Sequence, residues 1–168
     1  MIKVDVKESM NNFNNLFKGL KFMRDNEVFV GISQDETSRE DDPVTNAELL
    51  FIHTNGSPIN NVPARPVIEP AIKDDRERLS KMMGASAQSA MDGNTEEAMR
   101  KLKLAGMRAQ NISRAWFTNP KNGWPPNSPS VIRAKMKKGS TDPKPLIDTG
   151  ELRKSITYFI KAKGGRVK

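Results

Sequence analysis

The first 42 residues contain both hydrophobic patterns: apolar residues at every second position, which is typical of strands, and apolar residues three or four positions apart, which is typical of helices. Apolar and charged residues alternate over 2–7 (IKVDVK), which predicts a half-buried strand. The run VFVGI at 28–32 is rich in β-branched residues and predicts a central strand, and SQDETSREDD at 33–42 predicts an exposed acidic loop. Between the two strands, four apolar residues at spacings of three and four predict one face of a helix: Met10, Phe13, Phe17 and Leu20.

Helix patterns dominate the middle of the chain. Thr45 and Glu48 form a capping box, in which each side chain accepts a hydrogen bond from the other's backbone N–H, and we predict a helix from there to Gly56. Three prolines predict an extended stretch over 57–66, because proline restricts both itself and its predecessor. A second helix is predicted over 67–90.

The clearest periodicity follows a second capping box at Asn94 and Glu97. Small and apolar residues then recur at spacings of four and three over nearly three heptads: Ala98, Leu102, Ala105, Ala109, Ile112 and Trp116. We favour an intramolecular hairpin between this helix and the helix at 67–90. A coiled coil with a second chain is the alternative.

Residues 119–145 predict a long irregular arm with a basic character. The segment contains six of the 11 prolines and a single acid, Asp142. Structureless stretches of this length are uncommon in compact domains and are usually functional or disordered. Because a disordered linker seldom carries apolar anchors such as Trp124, Val131 and Ile132, we expect the arm to become ordered against a neighbouring subunit. A mobile loop is the alternative.

The tripeptide Asp148-Thr149-Gly150 matches the active-site signature of aspartic proteases. Such an enzyme needs two carboxylates that share a proton, so a single copy could serve only in a dimer. The sequence after Gly150 also offers too little sheet for the wall of a substrate cleft, and a hydrolase is disfavoured. We expect Asp148 to be the N-cap of a short helix, with Glu151 as its capping-box partner.

These elements together predict an α+β fold. Alternating apolar residues at 156, 158 and 160 indicate a closing strand after the short helix. We expect a small, mostly antiparallel sheet packed against two long helices, with the long irregular basic arm attached. The length suits one domain, so residues 1–168 are assigned to a single domain that includes the arm at 119–145.

Composition excludes most of the usual catalytic sites. The chain has no cysteine and one histidine, His53, which removes thiolate nucleophiles and leaves too few ligands for a multi-histidine zinc site. We therefore expect no metal and no cofactor. No apolar run approaches the roughly 20 residues of a membrane span, and the N-terminus has no apolar signal core, so no membrane partner is expected.

Charge is separated along the chain. Residues 1–100 carry 12 Lys+Arg against 17 Asp+Glu, whereas residues 101–168 carry 16 against 3. Such asymmetry indicates a nucleic-acid or membrane surface, or copies of one chain that attract each other, and a merely solvated basic loop is the alternative. Four basic residues of the arm are candidates for contacts with DNA phosphates or with acidic patches: Arg133, Lys135, Lys137 and Lys138.

The stretch GWPPNSPSVIRAKMKKGSTDPKPLIDTGELRKSITY at 123–158 resembles the C-terminal signature of tailed-bacteriophage virion morphogenesis proteins. VFVGI (28–32), AELLFIHTNGSP (47–58) and VPARPVIEPAI (62–72) fit the same plan, in which a helix leads through a glycine and a loop into a Pro-Ala-Arg-Pro element before long helices. The resemblance covers roughly 28–160. His53 stands where many members of that family have glutamate.

The resemblance implies a non-enzymatic protein of the virion, assembled in the host cytoplasm. Its subunits would form a ring at the head–tail junction, or neck, and join the capsid connector to the tail. The implied partners are further copies of the chain, other neck, portal-adaptor or tail proteins, and the genomic DNA that passes through the ring. Two alternatives stay open: a tail terminator ring that caps the tail tube, and a basic nucleic-acid-binding protein in which Trp116 or Trp124 stacks on bases.

Overall fold

A computed structural model describes residues 6–33 and 44–162, with side chains from Phe13 onward. These residues form seven α-helices and a two-stranded antiparallel sheet, which confirms the α+β class. The helices are α1 Val6–Asp25, α2 Asn46–Asn55, α3 Ile68–Asp74, α4 Arg76–Met91, α5 Thr95–Trp116, α6 Pro129–Lys137 and α7 Glu151–Ser155. The strands are β1 Asn26–Gly31 and β2 Thr157–Ala162.

The described chain divides into two compact units, each assembled from separate stretches of sequence. The first unit contains 6–29, 75–109 and 158–162, and the second contains 30–33, 44–74 and 110–157. The assignment of the whole chain to one domain stays a prediction.

In the first unit, α1 packs against α4 through a glycine. A Cβ added to Gly19 would lie 2.7 Å from the Cα of Met91, so only glycine permits this approach. The helix predicted around Met10 to Leu20 is confirmed, but its apolar stripe is not the packed side, since Phe13 and Phe17 are 60% and 57% exposed. The strand predicted at 2–7 lies largely outside the described residues, and its end belongs to α1.

The α4–α5 hairpin is the arrangement that the structure shows for the long seam. The Ser86 hydroxyl donates to the carbonyl of Ala98 at 2.7 Å, close to the turn between the helices. Farther from the turn, Arg108 donates to the carboxylate of Asp75. Four of the predicted seam residues are buried in this unit: Ala98, Leu102, Ala105 and Ala109. The other two belong to the second unit, in which Trp116 is buried and Ile112 half-buried. The single helix predicted over 67–90 is wrong in one respect, because Asp75 interrupts it between α3 and α4.

The second predicted capping box forms only in half. The side-chain oxygen of Asn94 accepts from the Glu97 N–H at 3.0 Å, as expected. The Glu97 carboxylate, however, pairs with Arg100 at 2.6 Å, which gives it a charged donor in place of a backbone amide.

The sheet pairs β1 with β2 and contains no third strand within the described residues. Among the described residues both strands are edges, so the strand predicted at 28–32 is confirmed as β1 and its central position in a sheet stays a prediction. In the first unit, the rings of Phe29 and Phe159 stack across the strands with centroids 5.6 Å apart. The acidic segment at 33–42 lies outside the described residues apart from Ser33.

The core of the second unit forms around α3, the end of α5, and α7. Its buried members are Val67, Ala71, Trp116, Phe117, Leu152 and Ile156, and Leu49 and Leu50 of α2 pack against them. The capping box of α2 is confirmed, with Thr45 N–H donating to Glu48 at 2.9 Å and Glu48 N–H donating to the Thr45 hydroxyl at 3.2 Å. Gly56 ends α2 with a φ of 75°, which favours glycine.

Candidate functional site

The second unit contains an open cleft of about 700 Å³. Its walls are α2, the stretch at 60–65, the first part of the arm with α6, and the turn that leads into α7. Charged and titratable side chains lie among the lining residues: His53, Arg65, Lys135, Asp148 and Glu151. Of the arm residues that the sequence analysis singled out, Val131 and Lys135 line the cleft.

Arg65 fixes the base of the arm. The side chain is buried, and its guanidinium donates to the carbonyl of Pro125 at 3.0 and 3.1 Å and to that of Pro126 at 3.1 Å. Burial lowers the pKa of Arg65 from its usual value. Because prolines lack an N–H, this stretch cannot join a backbone ladder, and the arginine satisfies its carbonyls instead.

Trp124 is the second anchor of the arm, and it packs on its own subunit. Its indole N–H donates to the carbonyl of Pro66 at 3.0 Å, and its ring meets Phe117 edge to face with centroids 5.8 Å apart. Trp124 is partly buried against the core of the second unit, and its assignment to a subunit interface stays a prediction.

The arm is less irregular than predicted, since it contains α6. Ser128 is the N-cap, its hydroxyl accepting from the Val131 N–H at 3.4 Å, and Pro129 occupies the first helical position. A Ser-Pro start followed by lysines in the last turn is a helix signal that the sequence contained. Ile132 is half-buried, whereas Val131 and Met136 are 42% and 59% exposed.

The four basic residues of the arm that were candidates for DNA or acidic-patch contacts differ in how exposed their side chains are. Lys135 is half-buried and donates to the carbonyls of Lys144, at 2.9 Å, and Ile147. Burial is the main reason that the pKa of Lys135 is lowered. Its ammonium group closes the loop after α6, and its assignment to DNA or an acidic patch stays a prediction. Arg133, Lys137 and Lys138 remain exposed, with Lys138 3.7 Å from the Asp148 carboxylate.

Asp148 does not cap α7. The N-cap of this five-residue helix is Gly150, with a φ of 83°, and no side-chain hydrogen bond caps the helix there. The Glu151 N–H donates instead to the Thr149 hydroxyl at a long 3.4 Å. The predicted capping box of Asp148 and Glu151 is wrong because the helix begins at Glu151 itself, so the aspartate lies too early in the chain to reach a free amide.

The cleft also exposes a feature that sequence reasoning missed at His53. The Nδ1 atom of this histidine is buried without a hydrogen-bond partner among the residues that the structure places. Burial, with a smaller effect of Arg65, lowers the pKa of His53, so the ring is neutral at neutral pH. From the sequence, the predicted end of α2 at Gly56 placed His53 in the last turn of the helix. The sequence did not indicate that its side chain would line the cleft.

The lining of the cleft is mixed: it includes apolar side chains such as Leu49 and Val131, and its two basic residues, Arg65 and Lys135, are matched by the acids Asp148 and Glu151. In the described ranges, no group of three or more His, Asp or Glu side chains is arranged to hold a metal ion. None of the helices placed by the structure is long and apolar enough to cross a membrane. In comparisons with protein-family models, with curated proteins and with solved structures, no match to the chain was found.

Proposed function

We propose that the chain is a non-enzymatic structural protein of a tailed-phage virion that forms a ring at the head–tail junction and joins the capsid connector to the tail. The observation that carries the proposal is the presentation of α6. Its base is held by the contacts of Arg65 and Trp124, while Val131 and Met136 are left exposed beside Arg133 and Lys137.

This arrangement suits a contact with another protein. An element held in place loses less conformational entropy on binding than a free loop does. Covering Val131 and Met136 would stabilise the contact by about 25 cal/mol for each Å² of apolar area removed from water. The neighbouring basic residues would favour an acidic surface, and residues 1–100 of a second copy carry an excess of acids.

The resemblance to virion morphogenesis proteins supports the same proposal. Its most specific segment, 123–158, spans the anchored base of the arm, α6 and the turn before α7. The segment therefore coincides with one wall of the cleft rather than being scattered through the fold. A ring uses heterologous contacts, in which one patch meets a different patch on the next copy, and the charge separation along the chain fits such a contact.

The test uses a phage whose genome contains the gene for this chain, in a mutant that no longer produces the protein. We expect complete heads and tails of normal length that fail to join, and we expect the wild-type chain supplied in trans to restore joining. The double variant Val131→Ser/Met136→Ser should not restore it, whereas Met83→Ser, at a similarly exposed methionine of α4, should. Tails of irregular length would favour the tail terminator. Normal particle yield without the chain would contradict both.

A nucleic-acid-binding protein is the second candidate, and the exposed charges of α6 favour it. Arg133, Lys137 and Lys138 lie within six residues of each other on and just after the helix. If they contact phosphates, the affinity of the purified chain for duplex DNA should fall steeply between low and moderate salt, with a shallower slope in a triple glutamine variant. Equal and negligible binding by both proteins would reject this candidate.

A further inference from the structure

α1 presents an apolar face that no described residue covers. Five large side chains on this face are between 36% and 60% exposed: Phe13, Leu16, Phe17, Leu20 and Met23. Phe13 and Phe17 also contact each other edge to face, with centroids 4.8 Å apart. A contiguous apolar patch of this kind on a monomer marks a site of interaction.

α2 has a second, complementary face. Leu49 and Leu50 pack against the core, but Phe51 points away and is 70% exposed. A hollow of about 460 Å³ lies beside it, lined by Val44, Ala47, Glu48, Phe51 and Ile52. A helix that is apolar on both sides is typical of one that is buried on both sides, and no residue that the structure describes covers the outer face of α2 at Phe51.

The two faces carry opposite charges. The last ten residues of α1 contain Lys18, Lys21 and Arg24 against the single acid Asp25. The hollow beside α2 contains the exposed Glu48, and hydrogen bonds from Thr45 lower the pKa of this carboxyl, so that it is ionised at neutral pH. Two apolar faces with unlike charges attract each other, whereas two copies of either face would bring like charges together.

We propose that α1 of one copy packs against the outer face of α2 of the next copy, with Phe13 and Phe17 covering the hollow beside Phe51. The inference rests on the self-assembly in the proposed function and adds which surfaces meet; it does not depend on the position of the ring in the particle. Because the two faces differ, the contact is heterologous, and each copy keeps one free face for a further copy.

A mixing experiment tests this directly. We expect Phe17→Ser and Phe51→Ser each to raise the dissociation constant of self-association at least about tenfold, measured by analytical ultracentrifugation. An equimolar mixture of the two variants should regain a dimer, because each supplies the face that the other lacks. Met83→Ser is the matched control and should associate as the wild type does. Unchanged circular dichroism and melting temperature would establish that the variants fold.

Cross-linking gives a second readout that does not require a change in affinity. The natural chain has no cysteine, so Leu20→Cys and Ala47→Cys each introduce a single thiol. On oxidation, the mixture should yield far more disulfide-linked dimer than either variant alone. Absence of this excess, or failure of the serine mixture to regain a dimer, would overturn the inference. If the serine variants join heads to tails normally, the proposed function holds and the α1–α2 contact is rejected. If the wild-type chain is absent from phage particles, the proposed function itself is rejected.

Discussion

The carboxylate of Asp75 accepts two hydrogen bonds from the guanidinium of Arg108, at 2.5 and 2.6 Å. The pair ties the break between α3 and α4 to α5, and neither side chain is more than 28% exposed. The hydrogen bonds from Arg108 are the main reason that the pKa of Asp75 is lowered. Since the aspartate titrates at lower pH in the folded chain than in the unfolded chain, its contribution to stability is present at neutral pH and is lost on acidification.

The Asp75→Asn variant should therefore show a pH-dependent loss of stability. We expect its free energy of unfolding to lie about 1–3 kcal/mol below that of the wild type at pH 7. The difference should shrink as the pH falls below about 4, where the aspartate of the unfolded chain becomes protonated, and onward through its lower folded pKa. Urea unfolding at several pH values measures this. A difference that does not change with pH would contradict the ion pair.

Two glycines in the α1–α4 region should respond in opposite directions to alanine. Gly19→Ala places a methyl group against the backbone of Met91, so we expect a loss of about 1–3 kcal/mol. Gly84→Ala, on the open side of α4, meets nothing within 4 Å and should stabilise the helix by about 0.5–1 kcal/mol. Thermal unfolding of both variants is the measurement. Equal effects would show that close packing at Gly19 is not what distinguishes the two sites.

Removing Arg65 should loosen the base of the arm. In Arg65→Ala the carbonyls of Pro125 and Pro126 lose their donors, and we expect a loss of about 1–3 kcal/mol. Proteolysis should also begin within the arm at lower protease concentration. Arg133→Ala is the control, because its exposed side chain should change stability by no more than about 0.5 kcal/mol. Similar cleavage rates for the two variants would reject the anchoring role.

Alanine substitutions at Asp148 and Ser128 should distinguish a residue that only matches the capping pattern from one that caps a helix. Because Asp148 is exposed and caps no helix, Asp148→Ala should leave the stability within about 0.5 kcal/mol of the wild type. Ser128→Ala removes the side-chain cap of α6 and should cost about 0.5–2 kcal/mol. Calorimetry of both variants is sufficient. A larger loss in the Asp148 variant would revive the capping role.

Features that depend on neighbours in sequence could be predicted best. The Thr45–Glu48 box and the seam of α5 follow from spacings of three and four residues, and both are confirmed. The failures concern contacts between distant residues. The hydrogen bonds from Lys135 to the Ile147 carbonyl and from Trp124 to the Pro66 carbonyl leave no periodic pattern in the sequence, so neither contact could be predicted. The capping-box pattern at Asp148 failed for a related reason, since a spacing identifies a cap only where the helix actually begins.

The pairing of β1 with β2 has a consequence for the order in which the chain acquires its structure. About 130 residues separate the two strands in sequence, so the sheet must close one of the longest loops that the chain can form. Such closure is entropically costly and slow compared with helix formation. During synthesis on the ribosome, β1 emerges early and has to wait for almost the entire remainder of the chain before its partner exists. Until then its unpaired edge is open to other chains, which makes this strand the place where misassembly would begin.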